Sequence, residues 1–331
     1  MVKQSVKHHF IPQFFLKNFG ELQNNGEYVI NVFNKNNLKS FHNLVSNVAY
    51  IKKFHTIKID NYETDLFEKA HNNIYERKMS QEYAKILHRL NITLQNYCNC
   101  YKCLSNEYYD NNYLLNDDDK LFLSRLLAYF IIRGKKYRVF GEEIYKKNHE
   151  MFSMVSKIHG IKDDKKIELS FVQQMGTRED IKFNQLFETF NGDMIDKLTY
   201  YLYSHIWNIF LNFTDMEFYT NDTAHALSTM EQDIPEIYGV GYTTPGNFII
   251  FPLTPKICII MYDTFFIRKE KQLVIDGCFV KSDINHIKII NAEIIYSAVD
   301  EVYSKNSNWE YLKYLYKRNN IPKGHKPYRI N

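Results

Sequence analysis

Two adjacent histidines, His8 and His9, stand in the stretch KHHFIPQFFLKNFG, directly ahead of a proline and a short aromatic run. The spacing of Ile11, Phe14, Phe15 and Phe19 predicts one short helix over residues 11–19, with Pro12 in its first turn and Gly20 as its stop. Such a helix start carries unpaired N–H groups and about half a positive charge. That field disfavours protonation of a nearby imidazole, and a neutral imidazole is the form that ligates metal or acts as a general base. The same helix end attracts phosphate. The alternative is a histidine pair that serves only as polar residues on the approach to the helix.

A second chemical candidate is CNCYKC, which supplies Cys98, Cys100 and Cys103, with His88 upstream. Three thiolates and an imidazole suit zinc, but no paired C-x-x-C occurs elsewhere to complete the usual spacing. The glycines of YGVGYTTPG read as a loop, since neither a phosphate-loop lysine nor dinucleotide-binding spacing follows. No nucleophile-elbow, zinc-protease or kinase motif is present.

The composition limits the classes of partner. The chain has 331 residues, 45% of them apolar and 16% aromatic, which is too apolar for a disordered protein and enough for a sizeable core. A formal charge of +4 gives no whole-molecule field toward nucleic acid, so any basic surface must be local, as at residues 133–138 and 317–329. Five cysteines do not form a disulfide framework. Without a signal-like leader or an apolar run near the roughly 20 residues that span a bilayer, the expectation is a cytoplasmic protein that does not enter membranes.

The elements that must position these residues follow from periodicity. EYVINVFNK and LKSFHNL predict a hairpin, against which VAYIKKFHTI can pack. From residue 62 to about 96 the chain lacks Gly and Pro and predicts a long helix. NDDDKLFLSRLLAYFIIRG predicts another, capped by Asn116 or Asp117 and ended or kinked by Gly134. Helix is predicted to continue to about His159, and again from about Asp180 to Leu211. Short apolar runs then signal strands in MEFYTND, NFIIFPL and KICIIMY, before helical spacing returns from Ser282 through VDEVYS. The expected fold class is α+β, a helix-rich centre flanked by an N-terminal hairpin region and a small C-terminal mixed sheet. The expected organisation is one composite domain over residues 1–305, divided at 61/62 and 212/213, followed by a basic tail over 306–331.

HHFIPQFFLKNF resembles the N-terminal signature of a mostly bacterial family catalogued as domain of unknown function 4238, His-His-x-x-Pro-x-x-(aromatic)-Leu-x-x-Phe. Further segments resemble it in order: VAYIKKFH, NNIYERK with Glu76, AYFIIRGKKYR with Arg133 and Arg138, FYTNDTA with Asp222, FPLTPK, and the closing NAEIIYSAVDEVYS. The similarity spans roughly residues 7–304. It departs at the family's Ser-Asp-Asn-Pro element, where Asn221 replaces Ser and Thr223-Ala224 replaces Asn-Pro.

The resemblance groups His8, His9, Glu76, Asp222, Arg133 and Arg138. Imidazoles and carboxylates can activate water or hold a divalent metal such as Mg²⁺ or Mn²⁺, and arginines can clamp phosphate. The expected function is therefore a phosphodiester hydrolase, a nuclease-like toxin or anti-phage effector acting on nucleic acid or a nucleotide. In it His8, His9, Glu76 and Asp222 do the chemistry or ligate metal, and Arg133 and Arg138 bind phosphate. The competing expectation is a non-catalytic module that binds nucleic acid, a nucleotide or a partner protein. Residues 8–9 and the 219–222 turn, two polar islands in apolar surroundings, are expected to share a cleft.

Overall fold

The computed structural model describes residues 7–59, 62–99, 115–229, 241–269 and 276–319. Its N-terminal part holds β1 (Lys7–His9), α1 (Gln13–Leu16), β2 (Glu21–Leu22), β3 (Tyr28–Asn34), β4 (Lys39–Leu44), β5 (Tyr50–Lys52), β6 (Ile57–Ile59) and β7 (Tyr62–Thr64). The middle is helical: α2 (Leu66–Ala70), a π-helical segment His71–Glu76, α3 (Arg77–Asn99), α4 (Asp117–Arg133), α5 (Lys135–Ile158), α6 (Asp164–Met175), α7 (Arg178–Asn191) and α8 (Asp193–Tyr203). Then come β8 (Ile206–Asn212), β9 (Thr220–Asn221), β10 (Ala226–Thr229), β11 (Asn247–Thr254), β12 (Ile257–Tyr262) and α9 (Thr264–Lys269). The chain closes with β13 (Cys278–Ser282), α10 (Ile284–Ser297), β14 (Glu301–Ser304) and α11 (Glu310–Asn319). The fold is α+β.

One sheet runs β10-β11-β12-β8-β13, with β13 parallel to β8 and the other pairs antiparallel. A second runs β2-β3-β14-β9, with β4 paired to β3 as the expected hairpin. Because β14 lies antiparallel to β3 with Tyr303 opposite Val32, the two ends of the sequence share one sheet. Phe15 joins the N-terminal part to both other parts. Its ring stacks on Phe251 of β11 at 5.8 Å and meets Phe130 of α4 edge-on at 5.2 Å.

Local sequence explains most helix ends. Asn116 caps α4 in a capping box with Asp119, Thr177 does the same for α7 with Asp180, and Asp283 caps α10. Four expectations need correction. The long helix expected from residue 62 begins only at Leu66, because Tyr62–Thr64 pairs with β6 as strand β7. The aromatic N-terminal helix is shorter than residues 11–19: α1 covers Gln13–Leu16 and a 3₁₀ turn covers Lys17–Phe19, with Pro12 outside the helix in an extended conformation. The helix predicted from Asp180 to Leu211 breaks at Gly192, which takes a left-handed φ of 84°, and residues 206–212 are the strand β8. That strand is paired on both sides, and its contiguous apolar run is one that periodicity alone cannot tell from a buried helix. Likewise EVYS at the end of the predicted closing helix is strand β14, since α10 stops at Ser297.

No helix among the described residues is long and apolar enough to cross a membrane. The side chains of Cys98, Cys100 and Cys103 lie outside the described residues; of the expected basic tail, residues 306–319 are described and carry α11 with Trp309, Leu312 and Leu315 buried, while residues 320–331 lie outside.

A histidine–carboxylate–arginine site beside an N-terminal cleft

The two histidines sit on β1, not in a helix start. Successive side chains of a strand point to opposite faces, so the pair divides its work. His8 is fully buried. His9 faces a cleft of about 340 Å³ whose other lining residues are Lys7, Gln13, Ser46, Glu68, Asn72 and Glu76.

Burial lowers the His9 pKa, with Glu68 and Glu76 opposing and Arg133 reinforcing the shift. The neutral form is thus favoured as expected, but the first cause is desolvation and not a helix dipole. A hydrogen bond with the Ser46 backbone opposes the shift, which is the sign of a ring N–H donated to a carbonyl. His9 Nε2 is buried and has no hydrogen-bond partner. The proton therefore belongs on Nδ1, and Nε2 offers a lone pair.

Behind the cleft lies a buried polar network centred on Arg133, which is fully enclosed. Its Nη1 donates to Glu76 and to the Tyr129 hydroxyl, the latter at 2.8 Å, and its Nη2 lies 3.4 Å from Glu68 Oε2. Eight residues of regular α-helix would leave Glu76 about 80° around the axis from Glu68. The wider turns of the π segment take up that offset, and both carboxylates reach one guanidinium. The short contact of 2.5 Å between His55 Nδ1 and Glu68 Oε2 extends the network. His8 Nδ1 accepts the His55 backbone N–H at 2.9 Å, and the two rings stack with centroids 5.6 Å apart. On the far side, His71 Nδ1 pairs with the Tyr129 hydroxyl at 2.8 Å and its Nε2 with Thr189 Oγ1 at 3.2 Å. Burial first, and Arg133 second, push both His55 and His71 well below the usual histidine pKa.

Of the residues singled out from sequence, His8, His9, Glu76 and Arg133 converge here. Arg133 does not present a free guanidinium to a ligand; it orients two carboxylates. Arg138 is also turned inward, donating to the Phe54 carbonyl and Gln185 Oε1, both at 2.6 Å, over the Phe54 ring. Asp222 belongs to a different place. Its carboxylate accepts the backbone N–H groups of Val299, Asp300 and Glu301, and its cationic neighbours are Lys135 and Lys35. Neither it nor any other residue of the 219–222 turn lines the cleft among the described residues. At the departure from the family element, Ala224 takes a φ of 64°, a value closed to proline, so the turn is built differently from one carrying Asn-Pro.

Sequence reading missed His55, Glu68, His71, Asp65 and Tyr129. The Glu68-x-x-His71 spacing on a helix was the available signal, because residues three apart share a face.

Fold and site together define an α+β protein whose N-terminal strand delivers a neutral imidazole to a carboxylate-lined cleft. Residues 7–308 match the family described as protein of unknown function (DUF4238), and the chain belongs to that family. No curated protein and no solved structure matches it.

Proposed function

We propose that this cleft hydrolyses a phosphodiester, with nucleic acid or a nucleotide as the substrate class. The observation that carries the reading is His9: an imidazole kept neutral by burial, with an unpartnered Nε2, lining a cleft that also holds Glu68 and Glu76. His9 takes a proton from the attacking water, the ordinary work of a general base. The carboxylates orient that water or hold Mg²⁺ or Mn²⁺, and Arg133 fixes them in place. Lys7, on the same wall, supplies the positive charge nearest the phosphate.

The test is an assay of purified protein on labelled RNA, DNA and nucleotides with EDTA, Mg²⁺ or Mn²⁺. Cleavage that His9→Ala abolishes supports the reading, and an inert wild type on every substrate sinks it. A role as toxin or anti-phage effector adds a cellular expectation, that expression slows growth and His9→Ala relieves it. A non-catalytic binding module is the second reading. It is favoured by one specific observation, that Arg133 and Arg138 are engaged inside the protein and leave the cleft with little positive charge.

A further inference from the structure

We propose that His8, His55 and Glu68 form a binding site for a divalent transition-metal ion of the zinc type, set directly behind the cleft. Each of the three offers a ligand atom, and these atoms lie within 4.8 Å of one another, close enough to share one ion. All three side chains are buried. Two imidazoles and one carboxylate are a recurrent set for zinc that keeps an open position, whereas Mg²⁺ prefers oxygen ligands alone. Glu68 also lines the cleft, so the open position would face it.

Ion entry rearranges the hydrogen bonds these two rings now make. His8 Nδ1 has a single lone pair, now accepting the His55 backbone N–H at 2.9 Å, so an ion bound there takes the place of that hydrogen bond; Nε2 of the same ring lies 3.8 Å from Asp65 Oδ1. Asp65 is itself held by Thr56 Oγ1 at 2.5 Å. His55 places its Nδ1 proton against Glu68, and its Nε2, fully buried, has no partner. An entering ion takes the place of that Nδ1 proton, which passes to Nε2 of the same ring, so no charge is lost from the chain.

The site does not depend on the hydrolase reading. A protein that binds zinc but cleaves nothing keeps this proposal and sinks that one; an active protein that takes up no ion does the reverse. The experiment is to dialyse the full-length chain against chelator, then titrate with Zn²⁺ and Co²⁺. The expected result is one equivalent bound, a raised melting temperature with Zn²⁺, and Co²⁺ visible bands of nitrogen and oxygen ligation. His55→Gln and Glu68→Gln should lose that binding, while a variant with Cys98, Cys100 and Cys103 all changed to Ser should keep it. Thiolate-to-cobalt charge transfer in the wild type would assign the ion to the cysteines and overturn the proposal, as would the absence of uptake. Should the two Gln variants fail to fold, the wild-type Co²⁺ spectrum decides alone.

Discussion

Two buried polar clusters, one around Arg133 and one around Asp222, use similar residues in opposite ways. In the second, nearly every polar atom ends on backbone. Asp222 takes three amide N–H groups, Lys35 Nζ donates to the carbonyls of Ile295, Tyr296 and Ala298, and Asn291 ties Tyr219 to Glu217. Thr220 Oγ1 is the exception among its neighbours. Around Arg133 the partners are mostly other side chains, and His9 Nε2, His55 Nε2, Arg133 Nε and Arg138 Nη2 remain without hydrogen bonds inside the protein. Buried polar groups are normally satisfied, so four such atoms, one of them on the cleft-lining His9, set this cluster apart from the one around Asp222. The lesson is that a buried carboxylate is read by where its bonds end. Asp222 knits β9 to the start of β14, whereas Glu68 and Glu76 are held ready.

The largest effect should fall on the satisfied cluster. Asp222→Ala strands three backbone N–H groups, one buried and two part-buried, and should lower stability by roughly 2–4 kcal/mol, read by denaturant unfolding. At a temperature where the variant is still folded, chemistry at the cleft should persist; its loss there would break the contrast. Acid should come next. His9, His55, His71 and His225 are all held below the ordinary histidine pKa, first by desolvation, and His225 is pushed down to about 3. A depressed folded pKa means the unfolded chain takes up protons that the fold refuses once pH falls below 6.5. The histidines' contribution to stability is therefore constant above that value and drops below it, by about 2 kcal/mol for His225 alone at about pH 5. A melting temperature that stays flat between about pH 7 and pH 5 would contradict this burial of neutral imidazoles.

How much of this was legible in the sequence depends on the distance over which the signal acts. His8, His9, Glu76 and Arg133 could be found because each sits in a short recognisable stretch. His55 could not, since its role arises when the turn after β5 meets α2, a contact no local spacing encodes, and Glu68 left only the weak Glu68-x-x-His71 spacing as a signal. The helical centre was readable from its lack of Gly and Pro and from its caps. β8 was not, because a central strand buried on both faces loses the alternation that identifies strands. Asp222 was expected to do chemistry or ligate metal, whereas its carboxylate ends on three backbone N–H groups, a partnership that no local sequence pattern encodes.

Smaller changes sharpen the comparison. Tyr129→Phe removes the hydroxyl shared by Arg133 and His71 and should cost on the order of 1 kcal/mol in stability. It should depress turnover more than substrate affinity if Arg133 positions the carboxylates, and leave both unchanged if it does not. Smallest in stability is Lys7→Ala, expected within about 0.5 kcal/mol of wild type. Its signature is weaker substrate binding whose deficit shrinks as salt rises, as for a contact to phosphate. A deficit indifferent to salt would remove Lys7 from that role.

The central claim concerns His9, and one comparison tests it most directly: wild type against His9→Ala, with equal melting temperatures confirmed, on labelled RNA, DNA and nucleotides. Loss of a general base costs roughly a hundred- to ten-thousand-fold in rate. The account predicts a loss of that size in a folded protein, together with a wild-type acid limb whose midpoint lies below the ordinary histidine value of 6.5. A His9→Ala protein that cleaves as fast as wild type would contradict it.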